Sequence, residues 1–192
     1  FDENDMKVIK HLYENGIKNN VKDLKIITKE EVLKLEPNVS ENVYGALYAP
    51  TGGIVGPFEY TIALGKNGVE NGGEVKLNPE VASITKEEVC TIKLTNNEEI
   101  KTKYIINAAG VYADKVHNMV CEESFKIIPI RGEYYVLDKD EGKNFTNTIF
   151  QCPSKVGKGV LVAPTVHGNL IVGPNAQELD EKDSLKTTSE AL

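Results

Sequence analysis

The chain of 192 residues, 40% hydrophobic and 27% charged, has the composition of a folded globular protein, with length for one large domain or two small ones. Its net charge of -7 argues against a general nucleic-acid binder, whose affinity comes mostly from basic side chains neutralising phosphates. No apolar run approaches the roughly 20 residues of a membrane helix, and Phe1-Asp2-Glu3-Asn4-Asp5 lacks the order of a signal peptide, which makes the cytoplasm the expected location.

In chain order, Met6, Ile9 and Leu12-Tyr13 give a helical spacing over Asp5 to Asn15, with Gly16 as the expected stop. The chain lacks an initiator methionine and runs straight into this helix, so an upstream portion is expected to have been removed. Thr28-Lys29-Glu30-Glu31 reads as the N-cap and acidic first turn of a second helix carrying Val32, Leu33 and Leu35, closed by Glu36-Pro37. Tyr44 to Ala49 reads as a strand and Thr51-Gly52-Gly53 as a loop. Gly56-Pro57 opens a helix through Tyr60, Ile62 to Leu64 and Val69, and Asn71-Gly72-Gly73 ends it. A strand over Glu74 to Leu77 follows, then an antiparallel meander of Val81 to Ile84, Val89 to Leu94 and Glu99 to Ile106, with Thr95-Asn96-Asn97-Glu98 as a turn.

That last strand delivers Asn107-Ala108-Ala109-Gly110, residues too small to be packing material. A ligand or another backbone must come close there, and in open α/β sheets the carboxyl end of a strand is where cofactors sit. A close strand-helix crossing without a ligand would use the same residues. Phe125 to Val136 then forms an apolar, β-prone run that reads as one strand. It carries Arg131, the only arginine among 22 basic residues, whose planar fork suits a carboxylate or phosphate, or else a structural salt bridge. Arg131 and Tyr134 lie three apart and face opposite sides of an ideal strand unless Gly132 marks a bulge. Tyr134 or Tyr135 could donate a hydrogen bond to a substrate, with burial in the core as the alternative.

Lys155-Val156-Gly157-Lys158-Gly159 lacks the spacing of a phosphate loop and reads as a hairpin turn, as does His167-Gly168-Asn169 between Val160 to Val162 and Leu170 to Val172. His167 is a remote general-base candidate. Ser40, Ser83 and Ser154 stand in no nucleophile-elbow context. Cys90, Cys121 and Cys152 are as scattered as His11, His117 and His167, so no metal site is expected. After Asn175 the run Glu178 to Asp183 reads as solvated, and Thr187-Thr188-Ser189-Glu190 as the N-cap of a further helix.

Several segments, in one order, resemble the FAD-dependent oxidoreductases that include glycerol-3-phosphate dehydrogenase, L-2-hydroxyglutarate oxidase and the D-amino-acid and glycine oxidases. They are Leu35-Glu36-Pro37; Gly52-Gly53-Ile54-Val55-Gly56-Pro57, with Gly56 where that family usually has Asp; Asn107-Ala108-Ala109-Gly110-Val111-Tyr112-Ala113-Asp114; Pro129-Ile130-Arg131-Gly132-Glu133-Tyr134; and Pro164-Thr165, Gly168-Asn169 and Gly173-Pro174. The resemblance implies an α+β fold, in which a mixed or antiparallel substrate-domain sheet with helices joins the latter part of an FAD-binding Rossmann-like domain with its β-meander. On this basis residues 1–50 belong to the substrate domain, 51–115 to the FAD-binding domain and 116–192 to the substrate-domain sheet.

The resemblance further implies that the backbone around Val81 lies near the adenine, and that Ala108, Ala109 and Gly110 line the cofactor. Arg131 and Tyr134 are then the substrate-binding candidates, and no catalytic base is identified. A small anionic hydroxy substrate would be oxidised by hydride transfer to flavin: glycerol 3-phosphate first, or a 2-hydroxy acid such as L-2-hydroxyglutarate. An electron-transfer subunit or a quinone is the implied acceptor, with attachment to the inner face of the membrane as the variant location. The G-x-G-x-x-G turn that holds the diphosphate in this family does not occur in these residues, so the chain alone is expected to bind FAD weakly or not at all and to be inactive. A non-catalytic binding or subunit-interaction domain is the alternative of another class.

Overall fold

A computed structural model describes residues 3–153 and 159–189. Its helices are α1 (Glu3–Lys18), α2 (Lys29–Leu35), α3 (Pro57–Glu70), α4 (Ala113–His117) and α5 (Lys139–Gly142). Its strands are β1 (Lys25–Thr28), β2 (Gly45–Tyr48), β3 (Val81–Thr85), β4 (Cys90–Leu94), β5 (Glu99–Thr102), β6 (Ile130–Arg131), β7 (Tyr135–Leu137), β8 (Ile149–Phe150), β9 (Leu161–Pro164), β10 (Leu170–Gly173) and β11 (Gln177–Glu178). The chain divides into two compact units. The first comprises residues 1–60, 132–176 and 187–192, and the second residues 61–131 and 177–186.

In the first unit, β1 and β2 pair antiparallel, with Ile26 opposite Leu47, and α1 and α2 pack on this pair. Ile9, Leu24, Ile27 and Val32 are its buried apolar residues. Gly45 makes the close approach to β1 possible, since a Cβ there would stand 2.9 Å from the Ile27 carbonyl oxygen. The helix α1 runs past its expected stop at Gly16 to Lys18. A Cβ on Gly16 would overlap the side chain of buried Leu24, so this glycine serves helix packing and not chain reversal. The left-handed residue that turns the chain is Asn20, at φ 57°. Helix α2 carries the predicted capping box: Thr28 Oγ1 accepts from the Glu31 amide and Glu31 Oε2 accepts from the Thr28 amide.

A second, antiparallel sheet of this unit has the order β7-β10-β9-β8, with Ala163 and Leu170 in its buried core. The hairpin between β9 and β10 turns at His167-Gly168, where Gly168 takes φ 89° and Thr165 and Asn169 exchange hydrogen bonds. The other predicted hairpin turn, at Lys155 to Lys158, lies outside the described residues, as do Ser154 and Glu190.

In the second unit the meander β3-β4-β5 is antiparallel, with Ile84 and Leu94 buried beneath it. Two expected strands do not form ladders among the described residues. Residues 74–77 belong to no strand, and the strand predicted to reach Ile106 stops at Thr102. Beyond it the Thr102 hydroxyl accepts from the Tyr104 amide and donates to the Tyr104 carbonyl, a local loop that replaces ladder bonds. Tyr104 and Ile106 are 86% and 91% exposed: a β-prone sequence needs a neighbouring strand before its backbone can pair.

The run from Phe125 to Val136 is also not one strand. Its Ile130-Arg131 pair with β11 in the second unit, and its Tyr135 to Val136 lie in β7 in the first. Gly132 stands at the break, where a Cβ would come within 2.8 Å of Pro174 Cβ, so the glycine marks a passage between sheets and not a bulge within one.

Candidate functional site

The second unit holds the small-residue turn. The Asn107 side chain fixes it from both ends: Oδ1 accepts from the Ala109 amide at 3.3 Å and Nδ2 donates to the Ala113 carbonyl at 2.8 Å. Gly110 takes the left-handed conformation at φ 56°, begins a single 3-10 turn that leads into α4, and has open space where a Cβ would project. Ala108 and Gly110 are exposed and Ala109 is half-buried. A flat ligand could lie against this backbone without displacing a side chain, so these residues fit a dinucleotide cofactor. Val81, the half-buried first residue of β3, stands opposite Leu94 beside a register shift. All four predicted cofactor residues are therefore in one unit.

A polar node follows the turn. Asp114, 5% exposed, sits in the first turn of α4 and accepts from the amides of Lys115 (2.8 Å) and Ile127 (2.9 Å). Lys182 Nζ reaches both of its oxygens, at 2.5 Å to Oδ2. The Lys182 ammonium, then these amides against the opposing effect of burial, hold the Asp114 carboxyl down at about 2. The segment around Lys182 is tied further: the Tyr112 hydroxyl donates to Asp183, and Arg131 donates to Gln177 Oε1 at 2.6 Å and to Ser184 Oγ at 3.3 Å. Arg131 is thus a strut of this segment within the second unit, with its two terminal nitrogens on neutral acceptors.

Tyr134 lies in the first unit, just before β7, and is 43% exposed; it does not share a strand with Arg131. Its neighbour Glu133 accepts from the Asn175 side chain (3.2 Å) and from the amide (2.7 Å) and hydroxyl (3.2 Å) of Thr188. His167 Nε2 is 3.7 Å from Glu59 Oε1, and both side chains are exposed. Glu59 also fills the space beside Gly56 where a larger residue would project, so it brings an acid to the start of α3 although residue 56 is not Asp.

Glu36, read from the sequence as a helix end and as part of the Leu35-Glu36-Pro37 motif, is a buried acceptor at 5% exposure. Its Oε1 receives the amides and side chains of both Thr146 and Asn147, at 2.6 to 3.0 Å. Burial would raise the Glu36 carboxyl, but these hydrogen bonds outweigh it and hold the pKa below its usual value. Beside it, a largely apolar cavity of about 570 Å³ in the first unit is lined by residues including Met6, Ile9, Ile27, Val32, Val43 and Val162.

Because Glu36 and Asp114 are both lowered, the native state binds fewer protons than the unfolded chain in acid. Their contribution is complete above the ordinary carboxylate range and is lost as pH falls, for Asp114 through about 2. Urea midpoints measured from pH 5 to pH 2 are expected to fall steadily; midpoints constant across that range would contradict this. Among the described residues no cluster of His, Cys, Asp or Glu could hold a metal ion, and no helix is long and apolar enough to cross a membrane.

Comparison with known proteins places this geometry in a family. A glycerol 3-phosphate dehydrogenase of Caloramator mitchellensis is 54% identical over 192 residues, which are 100% of this chain and 40% of that protein. The mitochondrial L-2-hydroxyglutarate dehydrogenase of Bos taurus is 31% identical over 86% of this chain and 38% of its own length. Among solved structures, the dithionite-reduced L-alpha-glycerophosphate oxidase of Mycoplasma pneumoniae with FAD bound superposes at a TM-score of 0.86 with 30% identity, covering 100% of this chain and 52% of that one. The chain thus spans about half or less of the length of these relatives. Its mixture of helices and antiparallel sheets is that of FAD oxidoreductases of this type. The profile of the FAD dependent oxidoreductase (DAO) family matches residues 1–192, and the chain belongs to that family.

Proposed function

We propose that the whole protein containing this chain is an FAD-dependent glycerol-3-phosphate dehydrogenase that oxidises the substrate's secondary alcohol to dihydroxyacetone phosphate. The observation that carries the reading is the 54% identity along the entire chain to a protein named for that activity. L-2-Hydroxyglutarate oxidation is the second reading, favoured by the 31% identity to the bovine enzyme.

In this reading the second unit is the latter part of a Rossmann-like flavin domain and the first unit is the substrate side. FAD, when bound, supplies the hydride acceptor. Ala108, Ala109 and Gly110 offer it a wall without side chains, and the backbone at Val81 faces its adenine end. Tyr134 is the proposed contact to the substrate hydroxyl, and Arg131 the proposed contact to its anion on exchanging a bond it now makes to Gln177 or Ser184. The electron acceptor, a quinone or an electron-transfer subunit, belongs to the same proposal, as does a location at the inner face of the membrane. The chain by itself is expected to bind FAD weakly or not at all and to be inactive, since no phosphate-cradling glycine loop occurs in it.

The test is anaerobic reduction of the flavin in the purified whole protein. Rapid bleaching of the oxidised-flavin absorbance by glycerol 3-phosphate, and little by L-2-hydroxyglutarate, is the expected outcome. The reverse preference would replace the first reading by the second. A whole protein that carries no flavin would leave a non-catalytic interaction domain.

A further inference from the structure

The turn that carries Gly110 leads into α4, a helix of five residues. So short a helix has almost no stability of its own, because nucleation costs more than its few hydrogen bonds return. What fixes it must come from outside it: the Asn107 side chain on the Ala113 carbonyl, and the partners gathered by Asp114 in its first turn. Its carboxylate gathers an amide of α4 itself, the Ile127 amide thirteen residues on, and Lys182 from the segment 177–186.

That segment has little apolar anchorage. Leu185 is 93% exposed, and the segment is held by the β6-β11 pairing, by Arg131 on Gln177 and Ser184, and by Lys182 and Asp183 on Asp114 and Tyr112. Lys182 stands out among these residues. Its side chain is 12% exposed and meets an Asp114 side chain at 7%, an ion pair in which removal of one partner leaves the other charge stranded away from water.

We propose that Lys182 is a positioning residue for the flavin site: through Asp114 it holds the start of α4, and thereby sets the backbone of Ala108, Ala109 and Gly110 against which the cofactor rests. The inference depends on the flavin reading above. Lys182 touches neither cofactor nor substrate in this scheme; it acts through one carboxylate and one short helix. The remaining contacts of the segment, at Tyr112 and Arg131, keep it docked when Lys182 is replaced, so the variant reports on Asp114 and not on loss of the whole segment.

The test compares the whole protein with its K182M and K182R variants. Three quantities are measured: the FAD dissociation constant of the deflavinated protein, the visible spectrum of the bound flavin, and amide exchange over residues 110–118 in the flavin-free state. K182M is expected to weaken FAD binding about tenfold, the scale on which residues remote from a ligand modulate its site. It should also shift the flavin spectrum and speed exchange over residues 110–118, while K182R, which keeps the cation, restores most of the affinity. A K182M protein that loses thermal stability but retains the wild-type dissociation constant and spectrum would make Lys182 a purely structural residue and overturn the proposal. Failure of K182R to restore affinity where K182M lost it would do the same. If the wild-type whole protein binds no FAD at all, it is the flavin reading that falls; the amide-exchange arm then still decides whether Lys182 holds the turn.

Discussion

Replacing Glu36 with alanine is expected to destabilise the whole protein by about 2 kcal/mol, because it removes the one buried oxygen that four donors share. The Glu36 Oε1 atom collects the Thr146 amide, the Thr146 hydroxyl, the Asn147 amide and the Asn147 side chain. These donors lie 110 and 111 residues away in the chain, so the carboxylate closes a long loop as well as satisfying local polar groups. Glu36→Gln retains an oxygen at the same place and is expected to cost about 1 kcal/mol, the scale of a charge-assisted bond made neutral. Urea unfolding followed by circular dichroism, with the midpoint shifted and the slope unchanged, is the measurement. Equal stability of the alanine variant and the parent would show that the donors find other partners.

The second large effect is expected at Gly173. It adopts φ 143°, where side-chain-bearing residues are strained, and a Cβ would come within 2.9 Å of both the Glu133 carbonyl oxygen and Tyr134 Cδ1. Gly173→Ala is therefore expected to cost roughly 2 to 3 kcal/mol from backbone strain and overpacking together. The substitution must push the Tyr134 ring aside, so it carries a functional prediction too. If Tyr134 contacts the substrate, KM for glycerol 3-phosphate should rise several-fold in the variant while the FAD content of the purified protein stays at the parent level. A lowered thermal midpoint with an unchanged KM would remove Tyr134 from the substrate contacts.

Local chemistry was the part of this fold most readily read from the sequence. The capping box at Thr28 and Glu31, the entry of α3 at Pro57 with its exit at Gly72, and the hairpin at Gly168 are each determined by residues within one or two turns of one another. The family resemblance lay in the same kind of information, short motifs with fixed internal spacing. The limits appeared where a strand needs a partner. Nothing in the composition of Lys103 to Ile106 distinguishes a paired strand from an extended one, and the run through Arg131 and Tyr134 is β-prone on both sides of the glycine where it changes sheets.

The polar anchors were hidden for a related reason. Lys182 sits in a charged run that reads as solvated, and its partner lies 68 residues away. Glu36 reads as a helix end and a motif residue, neither of which points to burial, and its donors form a Thr-Asn pair with no distinguishing pattern. A buried charge is chosen by what surrounds it in space, and one sequence records only the neighbours along the chain.

The division of the chain into two units has a consequence for the order in which the protein can be made. The polypeptide leaves one unit for the other after Tyr60, Arg131, Ala176 and Lys186. Of these residues the β1-β2 pair with its two helices is synthesised before the rest, but the sheet β7-β10-β9-β8 cannot exist until β10 is out, and β6 waits for β11. Neither unit can finish and set aside its surface while the other is translated, as successive domains on a bead-like chain do. Maturation on the ribosome should be late and nearly simultaneous for both, with long-range closure limiting the rate.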